Sequence, residues 1–292
     1  MYLTHFGLRE LPFTITPDTE FFMNRAGYQD ALNVLTIALR SGEGFVKITG
    51  EVGVGKTLLC RKLINTLGPD YVFAYIHNPY LKPDTLLYAI ADELDITYEE
   101  SSNQNTILRL ITESLTRHHD NGRQVILCLD EVQAMPIVSM EVIRLLTNLE
   151  TEKNKLIQVV LFGQPELDAV LEHPSIRQLK QRITFSYMLL PLNRPALTKY
   201  IQHRLVIAGY KGQNLFSQQA VDLLYQATNG VPRLVNILCH KALLAVYGEG
   251  NMNVKPKQMH AAIKDTMEAQ QLNKSSFQIM FPTFSRWLLG SF

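Results

Sequence analysis

The sequence predicts an α/β protein built on a five-stranded parallel sheet and followed by a small all-helical domain. Three observations predict it. Short apolar, β-rich runs alternate with helical periodicity from about residue 45 to residue 190. The strand pattern stops after Pro191. Beyond that point Pro and Gly bracket successive helical segments, Pro at the first turn and Gly just past the last.

The expected strands are 45–49, 71–76, 125–129, 156–162 and 183–190. Each is a run of mainly apolar residues too short for a helix. Runs of that kind separated by helices suit a parallel sheet covered on both faces. The intervening helical patterns cover 58–67, 86–94, 107–115 and 142–149. After the sheet, Pro195 opens a helix with Leu197, Ile201, Leu205 and Ala208 on one face, and Gly209 follows it. A second helix starts near Ser217, carries Val221, Leu224, Tyr225 and Thr228, and ends at Gly230. A third runs from Pro232 to Gly248, and a fourth covers about 257–270. The expected division is 1–192 for the α/β domain, 193–270 for the helical domain and 271–292 for a C-terminal tail. No internal repeat or low-complexity segment is visible.

Bulk properties narrow the function. The 292 residues carry 28 basic and 27 acidic side chains, a formal charge of +1. Bulk charge therefore gives no drive toward nucleic acid, and only a local patch would provide one. Cys60, Cys128 and Cys239 are widely spaced without a CxxC pair, which reads as buried free thiols in a reducing compartment. The N-terminus lacks the pattern of a signal peptide. No run reaches the roughly 18 to 20 apolar residues of a membrane span. The expectation is a cytoplasmic protein.

The strongest motif is Gly50-Glu51-Val52-Gly53-Val54-Gly55-Lys56-Thr57, a full match to GxxxxGK[ST] between an expected strand and an expected helix. The chemistry explains these residue types. Glycines let successive N–H groups turn inward so that Gly50, Glu51, Val52, Gly53, Val54 and Gly55 cradle phosphate oxygens, and the binding segment extends to Leu58. The helix start adds about half a positive charge. Lys56 supplies a full charge toward the β- and γ-phosphates, and the Thr57 hydroxyl is suited to a magnesium ion. The pattern predicts ATP with Mg²⁺ as the bound species. A guanine nucleotide is disfavoured because Asn154-Lys155-Leu156-Ile157 lacks the Asp of a guanine-reading NKxD.

The run 125–129 ends in Asp130-Glu131, two carboxylates at the ligand-binding edge of the expected sheet. Asp130 is placed to hold magnesium through water, and Glu131 to orient and partly deprotonate an attacking water. A solvated turn would be the plain alternative without the upstream glycine-rich loop. Arg233 stands at a helix start, where a cation opposes the dipole and a charged ligand would compensate. An exposed arginine with its head in water is the alternative. Arg177 and Arg182 precede the last strand; either one is a candidate finger toward a neighbouring subunit, or both line an ordinary basic helix face. Gln164 follows the strand 156–162, placed to touch the γ-phosphate or the water, or to cap the next helix.

These motifs together resemble an AAA+ ATPase, most of all the general-secretion-pathway ATPases of the ExeA/GspA group. The carriers are Phe6-Gly7-Leu8, Pro12-Phe13 and Pro17-Asp18, then the glycine-rich loop and Asp130-Glu131. They continue with the run from Leu161 to Leu167, the run from Arg177 to Arg182, and Gly230-Val231-Pro232-Arg233-Leu234-Val235-Asn236. The resemblance spans almost the whole chain. It implies the strand order 5-1-4-3-2 with a helical lid, Gln164 at the sensor-1 place, Arg233 as sensor 2 and Arg182 as the finger. It also implies that the segment around Phe6 to Pro12, within residues 1–40, packs near the adenine. A homo-oligomeric ring or filament is expected, working with pilus or secretion components at the inner membrane. Such ATPases usually continue into a membrane span and a periplasmic domain; ending at Phe292 favours a pilus-biogenesis branch. The competing expectations are a DNA-associated regulator like the transposition ATPases of the TnsC/TniB type, and a nucleotide-switched scaffold with little turnover. In the tail, Phe277, Phe281, Phe284, Trp287, Leu288 and Phe292 suggest a docking segment or a tail packed on the lid.

Overall fold

The computed structural model describes residues 2–24, 26–99, 101–150 and 154–269. In chain order the elements begin α1 (Leu3–Phe6), α2 (Ala26–Arg40), β1 (Phe45–Thr49), α3 (Lys56–Leu67), β2 (Tyr71–Ile76) and α4 (Pro83–Glu93). Next come α5 (Gln104–Asp120), β3 (Gln124–Leu129), α6 (Ile137–Leu146), β4 (Ile157–Gly163), α7 (Glu166–Leu171), α8 (Arg177–Arg182) and β5 (Ile183–Met188). The chain continues with α9 (Arg194–Ile207), α10 (Gln218–Thr228), α11 (Pro232–Gly248) and α12 (Pro256–Lys264). The aromatic tail, and with it Phe277, Phe281, Phe284, Trp287, Leu288 and Phe292, lies outside the described residues.

The fold forms two units. The first holds 24–52 and 56–190, with a five-stranded sheet in the order β2-β3-β4-β1-β5. All pairs are parallel, and the order is the expected 5-1-4-3-2 read from the other edge. β3 and β4 are central and bury nearly every residue, which is why they read as continuous apolar runs rather than as alternation. Val125, Leu127, Leu129, Val159 and Leu161 share a core with Leu86, Ile90, Ile107, Ile111 and Leu115 of α4 and α5. Each such side chain contributes about 1.5 to 3 kcal/mol on burial. Thr49 pairs with Gly163, and Leu129 pairs with Leu161. The C-terminal ends of β1, β3 and β4 therefore finish side by side, and whatever follows them shares one edge.

Two departures from the expected elements have local causes. α6 runs Ile137–Leu146 rather than 142–149, because Pro136 stands at its N-cap and Ser139 and Met140 already donate to the Pro136 carbonyl. α2 was not expected at all, although Ala31, Leu32, Leu35, Ala38 and Leu39 bury one helical face.

The second unit holds residues 2–23, Gly53–Gly55 and the described residues from Pro191 on. Asn193 caps α9 by accepting from Ala196 N at 3.0 Å, and Ser217 caps α10 by accepting from Ala220 N at 3.3 Å. Between α10 and α11, Gly230 has φ 75°, and a Cβ there would stand 1.8 Å from the Leu192 carbonyl oxygen. Only glycine fits that approach. The expected division at residue 192 assigned the N-terminal segment to the sheet. Instead Tyr2, Phe6, Leu8, Phe13 and Phe21 share a core with Leu205, Ala208, Val235, Cys239 and Leu243. Arg9 N donates to Ala208 O at 2.8 Å. Five large apolar side chains within the first 21 residues cannot stay in water, and α9 and α11 supply the cover.

Cys60, Cys128 and Cys239 are free and buried. Among the described residues no helix is long and apolar enough to cross a membrane.

Candidate nucleotide site

The loop 50–55 leaves β1 and enters α3 at Lys56. Gly53 and Gly55 take φ of 79° and 103°, which turns the backbone as a side-chain-bearing residue rarely can. Gly50 N donates to Gly163 O at 3.1 Å, tying the start of the loop to the end of β4. Val54 is buried and Val52 is exposed, so the loop has an apolar anchor within an otherwise accessible turn.

Lys56 is only 4% exposed. Its Nζ donates to Gly50 O at 2.7 Å and to Glu51 O at 3.2 Å, both within its own loop. Burial lowers its pKa below the ordinary lysine range, against the opposing charges of Glu131, Asp130, Glu51 and Glu166. Thr57 Oγ1 donates to Asp130 Oδ2 at 2.7 Å, so a hydroxyl and a carboxylate converge at the start of α3. Tyr75, near the end of β2, donates its OH to the same Asp130 oxygen at 3.1 Å. Burial, followed by the Asp130 charge, pushes the Tyr75 phenol well up, so it stays a donor.

Glu131 follows with φ 53° and ψ 38°, a left-handed conformation that costs a non-glycine residue about 1 to 3 kcal/mol. Its Oε2 accepts two amide hydrogen bonds, from Gln133 Nε2 at 2.6 Å and Gln164 Nε2 at 2.9 Å. Burial alone would raise its pKa. Hydrogen bonds from Gln164 and Gln133, with the charge of Lys56, outweigh burial and hold the carboxyl below its usual range.

Lys56, Thr57, Asp130, Glu131 and Gln164 thus come together, as the parallel register requires. Arg182 does not join them. Its guanidinium donates to Thr147 Oγ1 at 3.1 Å and Asn148 Oδ1 at 2.5 Å, which fastens the end of α8 to the end of α6. Arg177 is exposed, and its side chain has no hydrogen bond or ion pair among the described residues. The Arg233 side chain is likewise exposed and unpaired, while its backbone N donates to Gly53 O at 3.2 Å. A Cβ on Gly53 would lie 2.6 Å from Arg233 Cβ, so this glycine serves close approach as well as turning.

Sequence reasoning missed two contributors. Gln133 stands two residues after Glu131, and its polarity beside an otherwise apolar turn was the available signal. Tyr75 carried none, since only the register Tyr75↔Cys128 brings it beside the end of β3.

A sheet in this order, with a glycine-rich loop after β1, an Asp-Glu pair after β3 and a following helical unit, defines an AAA+ P-loop protein. The chain belongs to the AAA+ ATPase superfamily, and residues 39–171 match the family model of an AAA domain. It is related to General secretion pathway protein A of Aeromonas hydrophila, 40% identical over 254 residues. That match covers 87% of this chain and 46% of the relative, so the chain spans about half of that protein's length. The fold is similar to the ORC2 protein of Aeropyrum pernix, solved in ADPNP–ADP complexes (TM-score 0.64, 16% identity, covering 88% of this chain and 74% of that one). It is also similar to Cdc6p of Pyrobaculum aerophilum (TM-score 0.67, 19% identity, 85% and 70%). A third likeness is the RuvB Holliday junction branch migration motor of Thermotoga maritima (TM-score 0.57, 14% identity, 88% and 73%).

Proposed function

We propose that the chain binds ATP with magnesium, hydrolyses it, and uses the cycle to drive assembly of a pilus or secretion apparatus. The observation that carries the catalytic part is the convergence of Thr57 Oγ1 and Asp130 Oδ2 at 2.7 Å beside the buried Lys56. A hydroxyl and a carboxylate are hard oxygen donors, and that set fits Mg²⁺, which keeps several waters and takes further oxygens from phosphate. When bound, the ion would neutralise phosphate charge. Loop amides from Gly50 to Leu58 would hold the triphosphate while Lys56 exchanges its loop carbonyls for phosphate oxygens. Glu131, kept ionised, accepts the proton of the attacking water. Gln164 contacts that water or the γ-phosphate, and Arg233 meets the nucleotide's charge.

Subunits would meet head to tail in a ring or filament, with an arginine reaching the neighbour's phosphate. The free, exposed Arg177 supports that residue as the finger over Arg182, whose guanidinium is engaged within the fold. The relation to General secretion pathway protein A supports a place at a secretion-type machine on the cytoplasmic side of the inner membrane. The motif set also resembles that of the MSHA pilus biogenesis protein MshM, which supports a type IV, MSHA-like pilus. In this reading the domains are 1–192, 193–270 and 271–292, adjusted so that residues 2–23 join the helical lid.

Glu131→Gln tests the catalytic part. Turnover should drop by a factor of roughly a hundred or more while ATP affinity persists. Full turnover in that variant would refute the assignment. For the assembly part, the same ATP-locked variant should capture pilus or secretion components. ATP-dependent duplex binding with a steep salt slope would instead support the DNA-associated reading.

A further inference from the structure

We propose that Gln133 is a positioning residue for Glu131: it couples the Glu131 carboxylate to Gln164, fixing one oxygen and leaving the other to face the attacking water. The inference rests on the reading of Glu131 as the base.

Gln133 uses both ends of its amide. Nε2 donates to Glu131 Oε2 at 2.6 Å, and Oε1 accepts from the backbone N of Gln164 at 3.0 Å. The Gln164 side chain then returns to the same Glu131 oxygen at 2.9 Å. The three residues close a ring linking the end of β3 to the end of β4, the two strand ends that flank the proposed catalytic edge. Glu131 Oε1 has no hydrogen bond among the described residues, so the clasp leaves one carboxylate oxygen open.

The plain alternative is that Gln133 only holds its own turn. The turn does not need it. Ala134 N donates to Glu131 O at 2.9 Å and Met135 N donates to Val132 O at 3.0 Å, so the short 3₁₀ turn Val132–Ala134 is closed by its backbone. A second observation points the same way. Gly163 leaves room for this amide, since a Cβ there would meet Gln133 Oε1 at 3.3 Å and Leu167 Cδ2 at 2.7 Å. The left-handed backbone at Glu131 also turns the following residues back toward β4, and such strain persists where the surroundings fix it.

The two arms differ in kind. Gln133 is fixed at both ends, whereas the Gln164 side chain has one bond to exchange for a phosphate or water. Gln133 would therefore keep Glu131 oriented while Gln164 changes partner.

The test uses the full chain with ATP and Mg²⁺. Gln133→Met keeps volume and removes both polar ends; Gln133→Glu keeps the acceptor and loses the donor. Both should lower kcat by roughly tenfold to a hundredfold, while KM and affinity for a non-hydrolysable analogue stay within about threefold. Combining Gln133→Met with Gln164→Met should cost less than the product of the single effects, because both act through one oxygen. A normal kcat in either folded Gln133 variant would overturn the proposal. So would a parallel fall in affinity and melting temperature with kcat preserved in the folded fraction, the signature of a turn-holding role. Should Gln133→Met fail to fold, Gln133→Glu decides alone. Glu131→Gln separates the two readings. If it is inactive while the Gln133 variants are normal, only the clasp fails; if it remains active, the base assignment fails too.

Discussion

Lys56 and Arg204 are both cations buried in the fold, at 4% and 5% exposure, and neither has a carboxylate salt bridge among the described residues. Lys56 sits in the sheet unit at the start of α3 and bonds two carbonyls of its own loop. Those carbonyls are adjacent in sequence and need nothing from the rest of the fold. Arg204 sits in the helical unit on α9 and has two partners in the N-terminal segment beside one on its own helix. Its guanidinium donates to Pro12 O at 2.5 Å, to Tyr200 OH at 3.1 Å and to Thr14 Oγ1 at 3.3 Å. It also lies 4.5 Å from the centroid of the Phe21 ring. Two of the Arg204 acceptors, Pro12 O and Thr14 Oγ1, tie down the N-terminal segment, while in the proposed function phosphate oxygens replace the partners of the Lys56 ammonium. Equal burial thus goes with bonds that reach another segment in one unit and with bonds inside a single loop in the other. What separates them is how much of the fold depends on the bonds.

Substituting each residue gives the sharpest contrast. Lys56→Ala should weaken ATP binding by at least about a hundredfold, roughly 2.8 kcal/mol, with an unchanged or raised melting temperature. Calorimetric titration beside thermal unfolding measures both, and a large loss of stability would erase the distinction between the two cations. Arg204→Met should do the reverse. Stranding the Pro12 carbonyl and the Thr14 and Tyr200 hydroxyls costs about 3 kcal/mol in urea unfolding, with affinity per folded molecule unchanged.

A pH series sharpens the comparison further. Burial lowers the Lys56 pKa, so the folded chain releases this proton before the unfolded chain does. Protonation therefore costs the fold stability below the lowered value. That cost fades as pH rises from there toward the ordinary 10.5. The stability gap between wild type and Lys56→Met should narrow across this window in urea unfolding, and a widening gap would reverse the sign. The smallest effect belongs to Tyr200→Phe. It removes one hydroxyl that accepts from Arg204 and donates to Asn236 Oδ1 at 3.0 Å, a loss of about 1 kcal/mol.

Arg204 also shows what could be read in advance. It falls on the same α9 stripe as Leu197, Ile201, Leu205 and Ala208, so a charge at a core-facing position was visible. Its acceptors on Pro12 and Thr14 were not, because they lie some 190 residues earlier in the chain. Gln133 repeats the lesson at shorter range, since it becomes meaningful only when parallel pairing brings Gln164 next to it. Arg182 illustrates the opposite case. Its place in a motif run made it a candidate finger, and its bonds to Thr147 and Asn148 appear only in three dimensions.

By itself the sequence determined the α/β class, the loop 50–57 with its following helix, and the carboxylate pair after β3. Those features rest on local chemistry: glycine's φ freedom, apolar periodicity, and charge excluded from a buried strand. Tertiary structure alone decided that Tyr75 and Thr57 share one Asp130 oxygen, that Gln133 and Gln164 share one Glu131 oxygen, and that residues 2–23 join the helices after Pro191. These arrangements depend on strand register and on which apolar face covers which. Both are set by the whole chain's burial of surface rather than by any short segment.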